Sequence, residues 1–237
     1  MPSHKGPHKV QDPYTLRCIP QVLGAVRSAL ADAAASLRIE MNAATDNPLI
    51  FPNGTSLSGG NFHAQGLAIA LDHVALGMAV LAGFSERRIA RLVDTRLSDL
   101  PPFLTRKSGL NSGMMIVQYV AAGYASDNKV LAHPASADSI PTSANQEDFV
   151  PMGMAAAAKA KRILANPQRV VAAEFLCAAQ GLEYLKPLEP GGGVGELFRR
   201  IRMMPDPVPP LAEDRPLSPD LERLGRAVAE GELDPGP

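Results

Sequence analysis

Nineteen residues from Gly66 to Phe84 hold almost no polar side chain, and that run decides which folds are open to the chain. A stretch this long and apolar must either cross a bilayer or be shielded by other protein. Asp72 and His73 stand in its middle, where a charge or an imidazole is costly in lipid. The expectation is therefore a helix buried within a bundle, apolar nearly all round, and no membrane partner.

Composition agrees with helices. Aromatic residues make up 5% of the chain and Trp is absent, so Ala, Leu, Met and Val must fill the core. That suits close-packed helices better than a β-sandwich. With 46% hydrophobic residues in 237, the chain can bury a real core. The formal net charge of −1 leaves no electrostatic footprint for nucleic acid. Cys18 and Cys177 form no CxxC and no metal-ligand spacing, so they read as reduced core thiols in a cytoplasmic protein. The segment Met1 to His8 has no apolar run and reads as no secretory signal. His4 and His8 within it are given no role.

Asp12-Pro13 predicts a helix start, with Asp12 as cap and proline at the first helical position. Apolar spacing carries that helix to about Ala43-Ala44. Leu49 to Gly60 reads as a loop or short hairpin. Asn61 can cap a second long helix running to Phe84, which Ser85 to Val93 either continues or follows. Pro101-Pro102 breaks the chain, and a third helix spans Ser112 to Leu131. Ser143 with Gln146 resembles a capping box opening a fourth helix to Leu185, which Pro167 should interrupt or kink. Gly191 to Gly193 reads as a flexible break. From Met203 the chain is Pro-rich and reads as a loosely attached extension, with a helix near Asp220 to Ala229. The expected division is a helical bundle over 1–188 and a Gly/Pro-rich extension with short helices over 189–237.

Three segments can carry chemistry. Tyr14 and Arg17, three apart, share a helix face and offer a phenol beside a guanidinium fork suited to a carboxylate. On spacing alone, a surface arginine and a half-buried tyrosine are commoner. Ser58-Gly59-Gly60-Asn61-Phe62-His63 lets backbone approach a ligand, but is also an ordinary turn. His63 and His73 read as satisfied core or interface histidines rather than metal ligands, and no metal site is expected. Thr142-Ser143-Ala144-Asn145-Gln146-Glu147-Asp148, with two carboxylates and two amides, can build a polar pocket, yet acids are favoured in any first helical turn.

Together, and in order, these segments say more. Val10 to Cys18, Asn42 to Leu49, Leu57 to His63, Ser85 to Arg88, Leu100 to Leu104, Gly109 to Gly113 and Asn128 to Asp148 closely resemble signatures of the histidine ammonia-lyase family, over Val10 to about Leu188. The resemblance implies an all-α fold of long helices of the fumarase/aspartase-like type. It implies homotetramers with active sites shared between chains, and elimination of ammonia from an amino acid, histidine giving urocanate. It also implies an electrophile, methylidene-imidazolone, made from an internal Ala-Ser-Gly. In that scheme Arg17 binds the substrate carboxylate, with Gln11 hydrogen-bonding in the same pocket. Tyr14 stands beside the electrophile and Phe62 walls the site. Glu147 faces the substrate side chain or amine, with Gln146 beside it as a substrate-binding residue.

Two departures shape the expectation. No Ala-Ser-Gly triplet occurs among the 237 residues, so this chain is expected not to encode the cofactor and to be inactive alone. It would then act as a homo-oligomer or in complex with a chain carrying the N-terminal half, which in the family also supplies a catalytic tyrosine and the substrate-selecting loop. Phe149 stands where histidine enzymes typically have His, and a phenyl ring cannot replace an imidazole's hydrogen bonds. Tyrosine or phenylalanine lyases and aminomutases therefore stay open, as does a non-catalytic helical assembly protein derived from a lyase.

Overall fold

The structure, a computed structural model, describes residues 10–203 and 205–234. His4 and His8 lie outside the described residues, as does the rest of the Met1 to His8 segment. The elements are α1 (Tyr14–Arg17), α2 (Ile19–Glu40), β1 (Leu49–Ile50), β2 (Ser56–Leu57), α3 (Gln65–Val93), α4 (Thr95–Ser98), α5 (Met115–Leu131), α6 (Gly153–Glu183), α7 (Gly192–Met203) and α8 (Ser218–Ala229). Short 3₁₀ turns cover Pro102–Leu104 and Ser143–Asn145. The all-α expectation holds, with one antiparallel hairpin pairing Leu49 with Leu57.

Two compact units divide the chain, one from Met1–Pro20, Leu81–Asp127 and Ala165–Pro237, the other from Gln21–Val80 and Asn128–Leu164. The first unit holds a core of Ile89, Leu104, Met114, Val117, Val170, Leu176 and Cys177, closed by Ile201, Val208, Leu211, Leu224 and Leu233. Those last residues correct the reading of a loose tail. Val208 and Leu224 are fully buried, and each such side chain contributes about 1.5–3 kcal/mol over its exposed state. Gln180 binds the tail backbone from both sides, donating to Leu211 O at 2.9 Å and accepting from Leu211 N at 2.9 Å. Gly113 lies at φ +57°, where a Cβ would fall 2.4 Å from Phe103 O, so only glycine fits.

The second unit is built from smaller side chains. Val26 and Ala33 of α2, Ala68, Val74, Ala75 and Met78 of α3, and Ala156, Ala160 and Ile163 of α6 are buried. Its part of α3 is not apolar because it is shielded all round: Ile69, Leu76 and Val80 form an exposed stripe at helical spacing. By length and composition α3 could cross a membrane. Within this unit, however, the charge of Asp72 is met by Lys159 Nζ at 2.9 Å.

Several boundaries differ from expectation. Pro13 is itself the cap residue of α1, without a side-chain cap bond. The helix also breaks at Cys18, because Pro20 two residues on has no N–H to continue it. Asn61 does not cap α3; its Nδ2 donates to Ala44 O at 2.8 Å instead. Ser143 opens no long helix, since α6 waits until Gly153, past Pro151. It then runs through Pro167 without a break in the assigned helix. Gly192 and Gly193, expected in a flexible break, form the first turn of α7.

Candidate active site

The six residues singled out by sequence fall three to each unit. In the first unit, Gln11, Tyr14 and Arg17 meet around α1. The Arg17 guanidinium lies 4.7 Å from the centre of the Tyr14 ring. Its Nε donates to Asp12 O at 2.8 Å and its Nη2 to Gln11 Oε1 at 3.0 Å. Among the described residues these bonds use two of the five guanidinium donors. Tyr14 remains 69% exposed, so phenol and fork present a cation and a hydroxyl on one accessible surface.

In the second unit, two segments converge. Gly59 N donates to Asn47 Oδ1 at 3.0 Å, and with the Asn61 bond this ties the Asn42–Leu49 segment to the Leu57–His63 segment. Phe62 projects from that loop, half exposed. The other segment closes on itself. Thr142 and Glu147 exchange backbone bonds at 3.0 and 3.3 Å, and the Thr142 hydroxyl donates to Glu147 Oε2 at 2.5 Å. Between them Ser143, Ala144 and Asn145 all take positive φ, at 51°, 53° and 67°. Three successive non-glycine residues in the left-handed region are a strained turn. Gln146 and Glu147 leave it exposed, not in the first turn of a helix as expected.

His63 links these segments. Its Nε2 lies 2.9 Å from Phe149 O, and its ring stacks on Phe149 at 6.2 Å and 11°. His63 is thus half-buried and partnered, whereas His73 is exposed.

Sequence reasoning missed the polar support beneath this loop. Asp72, 2% exposed, accepts from Ser136 N at 2.8 Å and from Lys159, which also donates to His133 O. Burial pushes the Asp72 carboxyl up, but Lys159 and the Ser136 N–H outweigh it and hold the group below the usual carboxylate range. A lone acid inside an apolar run was the available signal. The Ser85–Arg88 motif is likewise structural: Arg88 grips Glu174 with two bonds of 2.5 and 2.6 Å, and Ser85 Oγ adds a third at 2.5 Å. Among the described residues no three His, Cys, Asp or Glu side chains gather as a metal site.

A family model described as aromatic amino acid lyase matches residues 2–203. The histidine ammonia-lyase of Symbiobacterium thermophilum is 54% identical over 229 residues, which are 96% of this chain and 45% of that relative. The crystal structure of histidine ammonia-lyase from Trypanosoma cruzi matches with a TM-score of 0.88 at 44% identity, covering 94% of this chain and 44% of that one. The tyrosine aminomutase from Streptomyces globisporus matches with a TM-score of 0.86 at 37% identity, covering 97% and 44%. The chain spans less than half the length of the relatives it matches.

Proposed function

The chain belongs to the aromatic amino acid lyase family, and from that premise we propose that it forms part of an ammonia-lyase that eliminates ammonia from L-histidine to leave urocanate. The carrying observation is the Arg17 fork, set over Tyr14 and oriented by Gln11. Arg17 grips the substrate carboxylate through paired, charge-assisted hydrogen bonds. Tyr14, whose phenol stays exposed, is placed to hold or move a proton at its hydroxyl. The second unit carries its own share of the proposed machinery: Phe62 as an aromatic wall, Gln146 as a hydrogen-bonding group, and Glu147, steadied by Thr142, for the substrate side chain or amine.

The methylidene-imidazolone of this family supplies the electron sink that turns an unreactive amine into a leaving group. Within the first unit, the exposed Tyr14 phenol beside the Arg17 cation fits the margin of such a group. No Ala-Ser-Gly triplet lies in these 237 residues, so in this reading the electrophile comes from polypeptide outside them. The working enzyme is then an assembly, either of copies of a longer chain or of this chain with one carrying the N-terminal half.

Phe149 favours a second reading, a tyrosine or phenylalanine lyase or aminomutase, because its ring cannot hydrogen-bond an imidazole. One experiment addresses both. The chain is combined with a polypeptide supplying the Ala-Ser-Gly segment and assayed for ammonia with histidine, tyrosine and phenylalanine. The expected result is histidine turnover by the combination and none by the chain alone. Arg17→Met should lower kcat/KM about 10- to 100-fold, the worth of a hydrogen-bonded charged contact. No turnover of any of the three by the combination, or full turnover by the chain alone, overturns the proposal.

A further inference from the structure

We infer that His63 is a positioning residue that locks the Glu147 segment to the loop bearing Phe62, so that these two walls of the site keep one fixed spacing; the inference rests on the lyase reading above. Residues 141–149 are all exposed, so no buried side chain of their own pins them. Their backbone passes through three successive left-handed residues, a conformation that persists only when its surroundings over-determine it. On the upstream side Ser136 is held by Asp72 and Gln65. Downstream, Val150 N donates to Ser139 Oγ at 2.9 Å. The Ser136 bonds fix the base of the loop to α3 and the Val150 bond ties its two ends together, but neither joins the loop to Phe62.

His63 makes that connection. It follows Phe62 directly, and its partner Phe149 lies two residues beyond Glu147. Among the described residues, His63 to Phe149 O is the one hydrogen bond between 59–63 and 142–150, and it joins residues 86 apart in sequence. A carbonyl oxygen only accepts, so Nε2 must carry the proton, which it does in the Nε2–H neutral tautomer and in the imidazolium alike. The near-parallel stack on the Phe149 ring sets the imidazole plane and aims that donor. Phe149 thus acts through its carbonyl and ring face as a strut, whatever the substrate.

The test compares His63→Leu, His63→Gln and Phe149→Leu with the parent chain in its complemented assembly. Two readouts are taken: amide hydrogen exchange of residues 140–152, and kcat/KM with histidine. Leucine removes the donor; glutamine restores an N–H at similar reach; Phe149→Leu keeps the carbonyl. His63→Leu is expected to speed exchange in 140–152 while leaving α6 unchanged, and to lower kcat/KM about five- to tenfold, the worth of one hydrogen bond. His63→Gln should recover most of both losses, and Phe149→Leu, which keeps the carbonyl but loses the ring that aims the donor, should lose part of the protection but less than His63→Leu. Unchanged exchange in His63→Leu, or a glutamine variant as impaired as the leucine one, overturns the inference. If the parent assembly turns over none of the three amino acids, the lyase reading fails, and the exchange data alone decide whether His63 clamps the loop.

Discussion

Lys159→Met removes the ammonium that faces Asp72 inside the second unit. The two side chains are 21% and 3% exposed and their charged atoms stand 2.9 Å apart. Without Lys159, only uncharged donors from Ser136 and Ala135 are left to a carboxylate that water barely reaches. Breaking a buried pair from one side costs about 3–5 kcal/mol, and the partial exposure of Lys159 places the expectation near the lower bound, about 3 kcal/mol. Urea unfolding at neutral pH reads this as a lower midpoint at unchanged slope. The dependence on pH separates this cause from lost packing. In the parent, the folded Asp72 carboxyl is held below its ordinary value of 3.8, so its contribution is complete above that pH and is lost as pH falls through the folded value. In the variant burial is opposed only by the bonds from Ser136 and Ala135, so the folded carboxyl moves up from its place in the parent. The destabilisation should then deepen toward neutral pH and shrink as the solution is acidified and Asp72 protonates. Adding Asp72→Asn removes the orphaned charge, so the double variant should be less impaired than the sum of the singles by about 1–3 kcal/mol. A loss below about 1 kcal/mol, flat in pH, with additive singles, would refute the reasoning.

Three further outcomes follow from the first unit. Gly113→Ala should destabilise by about 2 kcal/mol or more, because the left-handed φ alone costs a side chain about 1–2 kcal/mol and the new methyl would meet Phe103 O; an unchanged urea midpoint would contradict it. The Asp214 carboxyl is held below the usual range by the N–H groups of Ser112 and Gly113, at 2.6 and 2.9 Å. Its contribution is therefore present above its unfolded value and lost as pH falls through the folded one, and Asp214→Asn should flatten the acid limb of stability against pH; superimposable limbs would argue against this clamp. Cys177 is fully buried, and burial, with Glu174 nearby, pushes its thiol far up, whereas Cys18 is half-buried. A thiol reagent should label Cys18 in the native chain and Cys177 only after unfolding, so equal native rates would exclude this picture.

What could be read in advance divides along the line between local and distant causes. The long helices α2, α3, α5 and α6 were legible because an apolar period over many residues has one cheap solution. Their ends were not. Asn61 is a good cap residue, yet its side chain serves Ala44, 17 positions back, and Ser143 has the right spacing but a left-handed backbone. The tail's prolines suggested looseness because nothing local reveals that Val208 and Leu211 are buried against α6 and α7 of the same unit. The candidate site follows the same rule. Gln11, Tyr14 and Arg17 lie within seven residues, so one turn and its flanking backbone suffice to bring phenol, amide and guanidinium together. The motif singles out Glu147 as a candidate, but the helix start expected there is a left-handed turn instead. Its carboxylate is held by Thr142, its turn is strained, and its loop rests on His63 and on the Asp72–Lys159 pair. None of those supports has a signature in the spacing around Glu147. A motif can therefore name a candidate residue while the groups that hold its loop stay hidden, because that support comes from side chains distant in sequence and adjacent only in the fold.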